Sequence, residues 1–381
     1  MKRRLLLAAE VDVSELHARS ILVSLAGSRA HGMAGPDSDV DVLGVALPTH
    51  AQVLGVFQAF EQQNRPEQLA VFAPYLPAEL RKVVAQSKIE GTVYSLAKLL
   101  RLAWAGNPNI LEFLYTRDSE RVRVTGLGER LIAARGRFVT GKCRHTFGGY
   151  AASQLQRIEL HHRWHHDGPK AKPSRADFGL PERTLVPREH LQAAEAAIQK
   201  QIDTWALDWT DLEPSVRIPL QEELTRTLAE WRLAGEEARW KAAARWVGLD
   251  VNLMVVMQAE RSWRHARGEH QRYQAWLTNR NPSRAGLEAE HGYDTKHGAH
   301  LVRLLRMGME IVSTGQVHVW RGDRDAEELL HIKAGGWSFE ALREWTQRAK
   351  AELAAMESVV PKALDKGQVD ALCVDLTQAG L

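Results

Sequence analysis

The stretch that decides the fold is Gly27-Ser-Arg-Ala-His-Gly-Met-Ala-Gly-Pro-Asp-Ser-Asp-Val-Asp-Val-Leu-Gly-Val45. Just before it, Ser20-Ile-Leu-Val-Ser-Leu-Ala26 is a short apolar, β-branched run stopped by glycine, which predicts a buried strand. Asp39 to Ala46 opens with polar and apolar residues in alternation, which predicts a second strand. Between them Gly, Pro, Ser and Asp dominate, so the connection is turn chemistry around about one helical turn. The first strand thus delivers Gly27-Ser28 into a turn where bare backbone and a hydroxyl can approach an anion. Residues two apart on a strand share a face, so Asp39 and Asp41 point to one side.

Working outward, Lys88–Tyr94 predicts a third strand, after which Ser95 caps a helix through Leu96, Leu99, Leu100 and Ala103 to Gly106. Asn107-Pro108 stops it, and a short apolar helix covers Ile110–Tyr115. Beyond about residue 120 helical periods take over, with long helices predicted at 188–207, 219–247, 250–277, 294–314 and 338–359. A Pro/Gly-rich segment over 165–181 is too long for a tight connection. The fold class read from this is α+β: a small mixed-sheet domain over 1–118, then a larger, mostly helical domain over 119–381.

Composition narrows the function classes. The 44% hydrophobic and 25% charged fractions are those of a folded globular chain. No run approaches the ~18 apolar residues of a membrane span, and the apolar run Leu5–Ala9 is too short for a secretory signal. Cys143 and Cys373 are far apart and lack metal-ligand spacing. These features lead to the expectation of a soluble, cytoplasmic protein. With 50 Lys+Arg against 47 Asp+Glu, bulk charge gives no argument for nucleic-acid binding.

Two carboxylates on one strand face beside an anion-cradling turn form the oxygen donor set that Mg²⁺ (or Mn²⁺) takes. Paired metals at such sites stabilise the attacking and leaving oxygens of an in-line displacement. The implied reaction is phosphoryl or nucleotidyl transfer. The Gly-Ser-x-Ala-x-Gly opening and the Pro-Asp-Ser-Asp-x-Asp close resemble the nucleotidyltransferase motif of the DNA polymerase beta superfamily. More narrowly, they resemble its RNA-repair-pathway, RNA-ligase-associated branch. Val93–Glu112 and Tyr293–Gly308 are similar to that branch's strand-helix segment and C-terminal helix.

The resemblance implies metal-dependent transfer of a nucleoside monophosphate from an NTP to an acceptor hydroxyl, an RNA 3′ end in an RNA repair pathway, with an RNA ligase as a pathway partner. It places Gly27 and Ser28 in the nucleotide-phosphate loop, with Arg29 as a further triphosphate contact. Asp39 and Asp41 match the metal pair. Glu90 stands where the superfamily has a third carboxylate, usually Asp, that also acts as base; here it is one methylene longer. At about 100° per residue, Lys296, His300, Arg303 and Glu310 share one helix face, opposite Leu301, Leu304, Leu305, Gly308 and Val312. With Asp294-Thr-Lys-His at a helix start and the motif match, Lys296, His297 and Arg303 are expected on the triphosphate.

Other residues carry weaker signals. His31 reads as a hydrogen-bonder of the turn, and Asn107 as a helix stop. His161-His-Arg-Trp-His-His166-Asp reads as surface histidines, the alternative being a zinc site that lacks a placeable further ligand. Lys170, Lys172 and Arg175 near Trp164 and Phe178 read as a solvated loop, the alternative being a grip on a single-stranded RNA end. Two rival functions stand beside the main one: nucleotidylation of a protein or small molecule, and a non-catalytic nucleotide- or RNA-binding module.

Overall fold

The computed structural model describes residues 13–35, 38–56, 59–167, 171–184, 186–205, 240–279 and 282–381. Its centre is a five-stranded mixed sheet: β1 (Ser20–Leu25), β2 (Val40–Ala46), β3 (Gln62–Gln63), β4 (Ile89–Ser95) and β5 (Arg121–Val124), in the order β3-β4-β2-β1-β5. β2 runs antiparallel to β1 and parallel to β4, while β5 adds antiparallel to β1. The three strands read from the sequence are present within a residue or so of their expected ends. β5 was not foreseen, because a four-residue Arg-Val-Arg-Val edge carries little apolar signal.

The sheet is covered on both faces, as its strand patterns require. One side of β2 and β4 (Val40, Val42, Ile89, Val93) packs with Leu16, Phe72 and Leu76. The other side faces helices that belong to a second, larger apolar cluster. Among them are α1 (Gly27–Ala30), α2 (Leu96–Trp104), α3 (Pro108–Leu114), α4 (Lys142–Asp167) and α5 (Thr295–Thr314). Next come α6 (Ala326–Lys333), α7 (Phe339–Ala355) and α8 (Lys366–Gln378). The Ser95 hydroxyl accepts from Lys98 N–H to cap α2, and Asn107 Oδ1 accepts from Asn109 N–H to cap α3. Asn107 also donates to Tyr150 Oη at 3.0 Å, so it is a helix cap.

The compact units do not follow a division at 118. One comprises Met1–His166 and Asn281–Leu381, the other Asp167–Arg280. The cause is α5, whose Leu301, Leu304 and Leu305 join the cluster that holds Ile21, Val45 and Leu96, so the C-terminal hundred residues complete the N-terminal core. β5 likewise places residues 121–124 in the sheet. The Asp167–Arg280 unit has its own core of Leu191, Ile198, Trp240, Met254 and Met257, with helices at Arg188–Trp205 and Val251–Asn279. Most of the helix expected over 219–247 lies outside the described residues.

Candidate active site

β1 ends at Leu25, and the chain turns at once through Gly27, whose φ is +60°. A Cβ at Gly27 would fall 2.5 Å from Asp41 Oδ2, so glycine is what lets the turn sit against that carboxylate. Ala26 N–H donates to Asp41 C=O at 2.9 Å, locking turn to strand. Val40 and Val42 are fully buried toward one layer, which leaves Asp39 and Asp41 on the opposite face. In the parallel pairing Asp41 is the direct partner of Glu90, so Glu90 shares that face. Gly91 next to it has φ +140°, and a Cβ there would meet the Val42 carbonyl oxygen at 1.8 Å.

Burial raises the Asp41 carboxyl above the usual range, and the negative charges of Asp39 and Glu90 raise it further. Lys296 and Arg29 oppose that shift. Two acidic side chains, Asp39 and Glu90, thus act electrostatically on Asp41. They are hard oxygen donors, the type that Mg²⁺ or Mn²⁺ takes, and Asp41 gains from a cation beside it. Among the described residues no three His, Cys, Asp or Glu side chains are drawn close enough to form a finished coordination shell.

A cavity of about 350 Å³ opens next to this face, lined by Gly27, Ser28, Leu43 and Phe113, and by Lys296, His297, His300, Arg303 and Lys333. The turn and the α5 residues expected on a triphosphate therefore do meet across one cavity. Their roles differ from expectation in three places. Arg29 donates to the backbone carbonyls of Ser38 and Asp39, so it braces the loop that leads into β2. The α5 N-terminus is already satisfied: Asp294 accepts from His297 N–H at 3.0 Å, and its other carboxylate oxygen is 2.5 Å from His297 Nδ1. Arg303, also expected on the triphosphate, is 1% exposed.

Arg303 instead donates from Nη1 to Glu112 Oε1 at 2.6 Å and from Nη2 to His300 Nδ1 at 2.9 Å. The other Glu112 oxygen lies 2.9 Å from His31 Nε2. Burial would raise the Glu112 carboxyl, but Arg303 and His31 together hold it well below the usual range. Burial and the Arg303 charge depress His31, which stays neutral and donates from Nε2. The turn after α1 is also tied to a distant segment, since Arg321 N–H donates to His31 C=O at 3.0 Å and the Trp320 ring lies against Gly32. His31 is thus the structural hydrogen-bonder its position indicated, with a partner 81 residues away.

Sequence reasoning missed Glu112 and Lys333. Glu112 had a signal, a lone charge inside the apolar run Ile110–Leu114. Lys333, at the end of α6, had none; it is half-buried, and burial plus the nearby Lys296 lower its pKa. The other tempting clusters resolve into packing. His161 Nδ1 and His165 Nε2 stand 3.4 and 3.3 Å from the two oxygens of the buried Glu288, and His162 stacks on Phe339. His161 is buried and His162 and His165 are half-buried, while His166 is exposed. Arg175 is paired with Glu260 at 3.0 Å, and Lys170 lies outside the described residues.

No helix among the described residues is long and apolar enough to cross a membrane. No curated protein and no solved structure matches the chain. The family comparison gives a match over residues 1–170, which hold Gly27, Ser28, Asp39, Asp41 and Glu90. Over those residues the chain matches the RNA repair pathway DNA polymerase beta family.

Proposed function

We propose that this protein is a metal-dependent nucleotidyltransferase that moves a nucleoside monophosphate from an NTP to a hydroxyl, in an RNA repair pathway to an RNA 3′ end. The observation that carries the reading is the register of Asp41 against Glu90, with Asp39 on the same face and the Gly27 turn against Asp41. The family supports polymerase beta-type chemistry.

Gly27 and Ser28 hold the phosphates by backbone and hydroxyl, with the Lys296 ammonium at the same cavity. Asp39, Asp41 and Glu90 would hold Mg²⁺ or Mn²⁺, which when bound supplies Lewis-acid neutralisation of phosphate charge. The acceptor hydroxyl forms a new bond to the α-phosphorus, and the bond to the pyrophosphate oxygen breaks. Glu90 takes the hydroxyl proton. Arg29 fixes the approach to β2, so the carboxylates are presented without rearrangement. An RNA ligase that seals the processed end is the expected pathway partner.

The test is transfer from four α-³²P-labelled NTPs with Mg²⁺ or Mn²⁺, offered RNA with a 3′-hydroxyl or a protein lysate, beside an Asp39→Ala/Asp41→Ala control. Label in RNA that disappears in the control is the expected result. Label in a protein band would keep the chemistry and move the acceptor. NTP binding with no transfer under any condition would overturn the enzyme reading in favour of a binding module.

A further inference from the structure

We propose that His300 is a substrate-binding residue: its Nε2–H donates a hydrogen bond to a phosphate oxygen of the bound nucleotide, and Arg303 fixes the ring to do so. This deepens the nucleotidyltransferase reading and rests on it. The geometry begins with Arg303, which has no acceptor in its guanidinium. Because Arg303 Nη2 donates to His300 Nδ1 at 2.9 Å, that nitrogen must be the lone-pair side of the ring. The imidazole proton is therefore on Nε2. Among the described residues Nε2 has no partner, and His300 lines the cavity.

The surroundings identify the acceptor as anionic. Lys296 lies one helical turn before His300 on α5, and Lys333 lines the same cavity. Neither ammonium has a carboxylate within ion-pair distance among the described residues. Across the cavity stand Gly27 and Ser28. Two ammonium groups and a neutral donor facing a glycine turn recognise a polyphosphate better than a base edge. Burial, and then Arg303, His31 and His297, depress His300 to about 3, and the Glu112 carboxylate opposes them. It therefore donates unchanged throughout the neutral range, unlike an ordinary histidine.

Two variants separate the roles. His300→Asn keeps an acceptor at the Nδ1 position for Arg303 but cannot reach the Nε2 position. His300→Gln extends an amide N–H to that position. Both are measured by equilibrium dialysis of each of the four NTPs and of AMP. The acceptor is an ionised phosphate oxygen, so His300→Asn is expected to bind ATP roughly 10- to 100-fold more weakly while His300→Gln stays near the unaltered protein. The same affinities at pH 6 and pH 8 are expected to keep their ratio. Equal ATP binding by His300→Asn and the unaltered protein would overturn this inference alone. Absence of binding of any of the four NTPs by the unaltered protein would overturn it together with the proposed function.

Discussion

At Gly27 two requirements meet in one residue: a left-handed φ and a missing Cβ beside the Asp41 carboxylate. Gly27→Ala violates both. The backbone strain alone is worth about 1–3 kcal/mol. Nucleotidyl transfer is expected to fall by at least tenfold, and a urea titration is expected to show the stability loss beside it. Glu112 makes a different kind of demand. It is the counter-ion of a buried guanidinium, so Glu112→Gln leaves Arg303 uncompensated. Removing one partner of a buried pair costs roughly 3–5 kcal/mol. The urea midpoint is expected to drop accordingly, and a variant with an unchanged midpoint would show that Arg303 is solvated. Residues such as Asp39, Asp41 and Gly27 were legible in the sequence because turn and strand chemistry are local. Glu112 and Arg303 were not, because their meaning lies in a contact across 191 positions.

Among the elements, α5 departs most from its sequence pattern. Its helical period was readable and its bounds agree within a residue, yet Arg303, expected on the triphosphate, is engaged by Glu112 and His300. A helix apolar on most sides is a buried helix, and its few charges must then be paired. That pairing has a pH signature. His300 is held at about 3 in the folded protein against an ordinary 6.5, so the unfolded chain takes up its proton first. His31 is shifted in the same direction. Stability from both is fully present above about pH 6.5 and is lost as pH falls below it. The slope is about 1.4 kcal/mol per pH unit for each proton taken up on unfolding. Glu112, depressed in the folded state, adds a further loss below the usual carboxylate range. Urea midpoints at pH 7.5, 6 and 5 are expected to fall in that order, and a flat series would contradict the buried network. β5 shows the converse limit: four residues at a sheet edge are formed by pairing with β1 rather than by their own preference.

Over the whole molecule, the family match ends at residue 170, but the unit that carries the site does not. Residues 1–170 lack Arg303, the counter-ion of Glu112, and lack the α5 leucines that cover the sheet-side core. A 1–170 fragment is therefore expected to expose apolar surface, seen as dye binding and a non-cooperative thermal melt, while the full chain melts cooperatively. A compact fragment with full NTP affinity would contradict this. The α+β class was readable because each element announced itself. The return of residues 281–381 to the first unit was not, since it depends on which distant leucines share a core.

The order of the chain therefore also sets an order in time. Glu112 leaves the ribosome 191 residues before the arginine that neutralises it. At about 5–20 residues per second, that is a wait of about 10–40 s. Through that interval Asp167–Arg280 emerges complete, with its own core, and is free to fold while the first unit is still missing a wall. The cavity closes only when α5 arrives, so a nascent chain exposes its carboxylate face long before it owns a nucleotide pocket. Synthesis itself thus withholds the assembled site until α5 has been made.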